Sequence, residues 1–198
     1  MPQVLQKQDQ SRYQQAINQV RGWFRTRSGR VVTARLIQPE DADALEEFFY
    51  RLSPESRRRR FHQNMENIDA TLMRTTLSSF AGVDNRTQGG AVIAQAEDPD
   101  GRRRIVGVAR LGRPANRPTS PMAEAAIVIR DDYQGEGVGT ELLRRLVLLA
   151  KQMEIKTMAA IIEGDNEAAI RLFRELGLPT EIEHSAGETT LLIEMPGA

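Results

Sequence analysis

Seven consecutive residues, Gln134-Gly135-Glu136-Gly137-Val138-Gly139-Thr140, carry the strongest chemical signal in this chain. Glycines spaced by one residue let a backbone turn tightly and approach a ligand closely. The run joins a strand-like segment, residues 122–129, to a long helix-like segment. A helix start offers N–H groups that have no intrahelical acceptor, at the positive end of the helix dipole. That combination seats a phosphate or a pyrophosphate. A turn that needs glycine for its shape alone is the competing explanation. Two other phosphate motifs fit poorly. A P-loop requires Gly-Lys-Ser/Thr, and here Gly139-Thr140-Glu141 has no lysine. A dinucleotide fingerprint requires G-x-G-x-x-G, and the spacing here is G-x-G-x-G.

Other reactive residue types are scarce. The chain has no cysteine, which excludes disulfides, thiolate metal sites and a cysteine nucleophile. It has two histidines, His62 and His184, so no metal site is expected. Glu124 is the one ionisable residue within residues 122–129. A carboxylate on an otherwise apolar strand is expected to be desolvated, which raises its pKa. Residues 57–60 are four arginines and residues 102–104 are three. They can face an acidic acceptor or a phosphate, but solvated faces of a short helix and a hairpin tip are the expected reading.

These residues need elements to hold them. Tyr13, Ile17, Val20 and Phe24 recur at helical spacing, which predicts an amphipathic helix over residues 1–28. The remaining residues, 29–198, then form one domain. A Val- and Thr-rich strand is predicted at residues 30–37. Pro39-Glu40-Asp41 opens a helix, Ser53-Pro54-Glu55-Ser56 caps a second, and residues 69–80 make a third. Strands at 90–96 and 104–111 flank the turn signal Asp98-Pro99-Asp100-Gly101. A strand at 122–129, a helix to about 153, a strand at 156–163, a helix at 166–176 and a last strand pair at 181–184 and 189–194 follow. Antiparallel strands therefore precede one strand–helix–strand crossover, which must be parallel. The fold class is α/β, with a mixed sheet.

At this point the motifs resemble a known family. Gln134-x-x-Gly137-x-Gly139 is similar to the Q/R-x-x-G-x-G/A signature of GNAT acetyltransferases. The segment from Asn166 through Ala169, Leu172, Phe173 and Leu176 to Gly177 resembles the family's second motif, an Asn-capped helix ending in Leu-Gly. Leu52-Ser53-Pro54-Glu55-Ser56 and Ile129-Arg130-Asp131-Asp132-Tyr133-Gln134-Gly135 look like the bacterial Pat-type protein lysine acetyltransferases. The resemblance implies a GNAT acyl-CoA N-acyltransferase fold carrying an extra N-terminal helix, acetyl-CoA as co-substrate and no metal. It implies that the strands at 122–129 and 156–163 splay apart, so that backbone groups of Ile127, Val128 and Ile129 bond the pantetheine arm. The N–H groups of residues 134–140 would take the pyrophosphate. Asn166 and Phe173 would stand near the pantetheine, with a plain N-cap an equal reading of Asn166.

The implied reaction is acetyl transfer to a primary amine, first a protein lysine, with a small-molecule amine as the alternative. A CoA-binding module without turnover is a third reading. Glu124 is the expected base, since Pat-like enzymes carry a glutamate there, with simple solvation at the strand's end as the rival reading. The oxyanion donor would be a backbone N–H near Val128 or Ile129. Many GNAT enzymes have tyrosine where this chain has Phe173, which cannot protonate the leaving thiolate. Tyr133 is nearby but outside the matching position.

Composition narrows the partners. Lys plus Arg and Asp plus Glu are both 27, so the formal charge is zero and nothing pulls the chain toward nucleic acid or an anionic membrane. The longest aliphatic runs, such as 125–129 and 146–150, are far short of the ~20 apolar residues of a membrane span. A cytoplasmic location is the expectation. The N-terminal helix is read as packed on the domain or as a homodimer element.

Overall fold

The computed structural model describes residue 14, residues 17–61 and residues 69–197. His62 and residues 1–13 lie outside these. A mixed eight-stranded sheet runs β1-β2-β3-β4-β5-β6-β8-β7. Its strands are β1 (Gly22–Arg25), β2 (Val31–Leu36), β3 (Gly89–Glu97), β4 (Arg103–Gly112), β5 (Met122–Ile129), β6 (Thr157–Glu163), β7 (Thr180–Ser185) and β8 (Glu188–Glu194). β5 and β6 are parallel, as the crossover requires, and the other neighbouring pairs are antiparallel.

Helices cover both faces. On one lie α1 (Ala42–Arg51), α2 (Pro54–Phe61) and α3 (Ala70–Ala81), whose Leu45, Phe48, Phe49 and Met73 pack on Ile93, Ile105 and Val108. On the other lie α4 (Val138–Gln152) and α5 (Glu167–Arg174), whose Leu142, Leu146 and Phe173 pack on alternate residues of β3, β4, β5, β6 and β8. β4 is central, so residues 104–109 form an unbroken buried run instead of an alternating one.

The predicted helix over residues 1–28 is corrected. Residues 17–20 are helical, but Gly22–Arg25 is an edge strand paired with β2. The chain reverses through Gly29 at φ +88°, and Thr26 N–H bonds Arg30 O at 2.9 Å. Hairpin pairing buries one side of Phe24 against the core and leaves Trp23 exposed, an alternation that helical spacing at 17, 20 and 24 conceals. Among the described residues no helix is long and apolar enough to cross a membrane.

Arg104 is not on a solvated hairpin tip. It is buried and bonds Asp98 (3.1 Å), Asp100 (2.6 Å) and Glu47 (2.6 Å), while Asp98 also takes Arg130 Nη2 at 2.7 Å. The Arg130 guanidinium, with Arg104 and Arg51 behind it, holds the Asp98 carboxyl below the usual aspartate range. Asp98→Ala leaves two buried guanidinium groups short of their counter-charge and is expected to cost about 3 kcal/mol. The melting temperature then drops by roughly 6–12 °C at neutral pH. Because the folded pKa is depressed, the carboxylate's contribution is complete above the unfolded value of about 3.9. It fades as pH falls through the lower folded value. The gap between variant and parent in denaturant titrations should therefore shrink on acidification. A gap that widens in acid would contradict this.

Candidate active site

The sheet forks beside Glu124. β5 pairs β6 at Met122, Ala123 and Glu124, and its residues beyond that pair only β4. Side-chain and backbone direction alternate along the strand, so the register says which groups face the gap. Lys156 N–H bonds Pro121 O (2.7 Å) on the β6 side, and Arg130 N–H bonds Val106 O (2.9 Å) on the β4 side. Odd-numbered residues of β5 therefore turn their N–H and C=O toward β6. Ile127 and Ile129 face the gap, whereas Val128 is turned to the β4 ladder opposite Val108. Val128 is thus corrected as a source of free backbone groups. The Ile129 carbonyl demonstrates the gap's chemistry, since it accepts from the Gln134 side-chain amide at 3.1 Å.

Just past the fork, the glycine-rich turn leads into α4. Gly135 (φ +72°) and Gly137 (φ +88°) adopt the left-handed conformation that glycine permits without strain, and a Cβ built on either meets nothing within 4 Å. The turn's carbonyls point away toward the β1–β2 loop. Arg27 Nη1 bonds Gly135 O at 2.7 Å, Arg27 N–H bonds Glu136 O at 3.1 Å, and Ser28 N–H bonds the Glu136 carboxylate at 2.9 Å. With the carbonyls held back, the N–H groups of Gly135, Glu136, Gly137, Val138, Gly139 and Thr140 have no acceptor among the described residues. Gln134 departs from the expected pattern because its N–H bonds Asp131 O at 3.2 Å. Val138 is buried, so it contributes only main chain.

The two Pat-like segments meet in space. Asp131 accepts from Ser53 N (2.9 Å), Ser53 Oγ (2.7 Å) and Ser56 Oγ (2.8 Å), and Gln134 Nε2 bonds Ser56 Oγ at 3.1 Å. Burial alone would raise the Asp131 pKa, but the bonds from Ser53 and Ser56 outweigh it and hold the carboxyl low. This network ties the start of α2 to the glycine-rich turn. Spacing in the sequence, 75 residues and more, gave no hint of it.

Glu124 itself is exposed, so the expected desolvation is not found. It sits at the fork, at the last residue of β5 that pairs with β6. On its face of the sheet lie the side chains of Val108 and Arg110 from β4 and of Ala126 and Val128 from β5. Of these, Val108, Arg110 and Val128 line a cavity of about 990 Å3, whose wall also includes Leu45 and Phe49 of α1, Arg60 of α2 and Phe80 of α3. The four arginines of α2 diverge: Arg58 pairs Glu163 at 2.7 Å, Arg59 pairs Glu55 at 2.6 Å, Arg57 lies over the Phe49 ring, and Arg60 turns into the cavity. The solvated-face reading is therefore corrected for Arg60.

Three further residues are placed. Phe173 is 2% exposed, packed in the core behind α4, and so offers packing more than an open ring face. Tyr133 is equally buried, with Arg30 3.7 Å from its ring centroid and Arg130 5.0 Å, which removes it as an accessible proton donor. Asn166 caps α5, its Oδ1 accepting from Ala169 N at 3.2 Å. Asn166→Ala should cost about 1 kcal/mol, lowering the melting temperature by a few degrees. If the cap is its whole role, calorimetry will find the same coenzyme A affinity. A weakened affinity would assign the residue to the ligand as well. Among the described residues no group of three or more His, Asp or Glu side chains could hold a metal.

Comparison with known proteins gives the family and the fold. The acetyltransferase (GNAT) domain family matches residues 32–179. A Pseudomonas aeruginosa acetyltransferase is 30% identical over 149 residues, 75% of each chain. The L-methionine sulfoximine/L-methionine sulfone acetyltransferase of the same organism is 35% identical over 99 residues, 49% of this chain and 56% of that protein. The crystal structure of the GNAT domain of Streptomyces lividans PAT superposes with a TM-score of 0.74 at 23% identity, covering 89% of this chain and 97% of that one. A Salmonella typhimurium protein solved with its cofactor acetyl-CoA gives 0.62 at 20% identity, covering 84% of this chain and 95% of that one.

Proposed function

Since the chain belongs to the GNAT family and is an acetyl-CoA-dependent acetyltransferase, we propose that Glu124 is the base for acetyl transfer onto a primary amine that enters from the cavity under α1 and α3. The observation that carries this reading is the position of Glu124 at the fork: β5 leaves β6 just after it, ahead of Ile127 and Ile129, and its partner across the β4 ladder, Gly112, lines the cavity.

Acetyl-CoA supplies an acetyl thioester. Its pantetheine amides match the backbone groups of Ile127 and Ile129, in the manner of an added strand. Its pyrophosphate matches the bared N–H groups of residues 135–140. An ammonium, of pKa about 10.4 for a lysine, must first lose a proton, and Glu124 takes it directly or through a water. The amine nitrogen bonds the acetyl carbon as the carbon–sulfur bond breaks, and the second proton that this nitrogen sheds in becoming an amide passes to solvent water. The Ile127 or Ile129 N–H, facing the gap, stabilises the oxygen charge that develops. The sulfur leaves as thiolate, a tolerable leaving group at a thiol pKa near 8.5, so neither Phe173 nor Tyr133 is needed as an acid.

The cavity's volume favours a small-molecule amine, and the sulfoximine and sulfone acetyltransferase among the relatives is in keeping with that. The second reading, a protein lysine, is favoured by the Ser53–Ser56–Asp131–Gln134 network, which joins both Pat-like segments into one unit. The test is to incubate the protein with acetyl-CoA and panels of amines and lysine peptides, following free thiol and product mass. Tight coenzyme A binding without product from any amine would replace the enzymatic reading with a binding module.

A further inference from the structure

A trans peptide group is planar, so its C=O and its N–H point in opposite directions. Arg27 exploits this twice. Its Nη1 bonds Gly135 O at 2.7 Å, and its own N–H bonds Glu136 O at 3.1 Å. Holding those two carbonyls toward the β1–β2 loop turns the N–H groups of Glu136 and Gly137 away from it. Each of the two peptides has a glycine on one side, the residue type that least resists a peptide flip. The local chain leaves the direction of these N–H groups open, and Arg27 sets it.

Glu136 adds an electrostatic difficulty. Its N–H belongs to the cradle, but its carboxylate is an anion next to the seat of a diphosphate. The loop draws that charge off. Ser28 N–H bonds Glu136 Oε2 at 2.9 Å, and Arg30 Nη2 stands 3.9 Å from Oε1. The bonds from Ser28, with the Arg30 charge behind them, hold the carboxyl below the usual glutamate range. Arg30 is itself fixed, donating to Asp132 O at 2.8 Å and lying 3.7 Å from the Tyr133 ring centroid.

The loop is stiff enough for this task. Thr26 is buried, its carbonyl accepts from Gly29 N at 2.9 Å, and its Oγ1 accepts from Arg30 N at 3.1 Å. Behind the loop, Arg145 of α4 donates to the Val20 carbonyl and pairs Glu141 at 2.7 Å. β1 and the loop precede residue 32, where the family match begins.

We propose that the β1–β2 loop braces the donor site: Arg27 aims the Glu136 and Gly137 N–H groups at the pyrophosphate, while Ser28 and Arg30 hold the Glu136 carboxylate out of its way. Arg27 and Arg30 are positioning residues, acting through the turn without touching coenzyme A. A cradle ordered before the ligand arrives spends less of the binding energy on ordering. The proposal rests on the placement of the pyrophosphate at residues 135–140, which Gly137→Val tests by itself.

The experiment titrates coenzyme A and 3′-dephospho-coenzyme A into the full chain by calorimetry, at low and at high salt. Affinities are read well below each variant's melting temperature, so a loss of stability alone leaves them unmoved. Arg27→Ala should weaken both ligands by about tenfold, the worth of one hydrogen bond to a charged group. Salt screens a direct contact between guanidinium and phosphate, so a brace predicts the same ratio of parent to variant at high salt. Arg27→Gln is neutral but can still donate to a carbonyl, and should keep part of the affinity. Arg30→Ala should also weaken both ligands. In a Glu136→Gln background no carboxylate remains to repel the diphosphate, and the Arg30→Ala loss should shrink to about twofold or less. Unchanged affinity in Arg27→Ala and Arg30→Ala, with binding abolished in Gly137→Val, overturns the brace and leaves the turn as the pyrophosphate site. A loss confined to coenzyme A, or one that vanishes at high salt, makes Arg27 a direct phosphate ligand and overturns the brace as well. An Arg30→Ala loss of equal size with and without the Glu136 carboxylate removes Arg30 from it. Intact binding in Gly137→Val takes away the placement and the brace together.

Discussion

Glu124→Gln is expected to lower kcat at neutral pH by about 100-fold or more, the usual range for a general base, with acetyl-CoA affinity unchanged. Glutamine keeps the size and shape of the side chain and takes away its capacity to accept a proton. The loss should therefore appear in kcat and not in the binding of the donor, whose proposed contacts are the gap-facing backbone of β5 and the glycine-rich turn. Removing the carboxylate also removes the charge that faces Arg60 and Arg110. Two more readouts separate a base from a structural residue. Raising the pH supplies more unprotonated amine and should rescue part of the rate. Glu124→Asp, which withdraws the carboxylate by one methylene, should fall between parent and glutamine. Equal rates for parent and glutamine variant at saturating substrates would remove Glu124 from the mechanism and return it to the role of a solvated residue at a strand end.

The sequence made the sheet and its crossover legible because their signals are local. Alternation, a turn rich in Asp, Pro and Gly, and an Asn cap each specify one element, and β5 falls on residues 122–129 as read. The edge strand Gly22–Arg25 escaped because four residues with one half-buried aromatic satisfy a helical period as well as a strand period. Pairing with β2 decides between them, and pairing is not local. The same limit applies at the site. The glycine-rich turn announces itself, since its φ values demand glycine. Arg60 and Arg110 do not. One sits in a run of arginines whose other members face three different directions, and the other stands alone near the far end of a central strand that opens on two arginines. Their meeting depends on how α2 crosses the end of β4 and β5, which no spacing encodes. The same is true of Asp131, whose partners Ser53 and Ser56 come from a helix start far upstream.

Gly137→Val should abolish measurable acetyl-CoA binding at working concentrations, and the structure separates the reasons. Among the described residues, a Cβ at position 137 meets no atom within 4 Å beyond its chain neighbours. The internal cost is therefore backbone strain alone, about 1–2 kcal/mol for an L-residue forced to φ +88°, and more for a β-branched one. If the backbone yields, the N–H groups that follow turn away from the pyrophosphate. If it does not, the branched side chain occupies the open space the phosphate needs. Either way, two charge-assisted bonds at about 1.5 kcal/mol or more each are lost, which is about 100-fold in affinity. The contrast is Gly139→Ala. There the added Cβ would stand 2.8 Å from Leu172 Cδ2, the end of a flexible, half-buried side chain that can shift. That variant should lose some thermal stability and keep most of its affinity. Calorimetric titration with coenzyme A and thermal denaturation of both variants read the two effects apart. Intact affinity in Gly137→Val would mean that the pyrophosphate does not lie on this turn, and the placement of the donor along Ile127 and Ile129 would then lose its anchor.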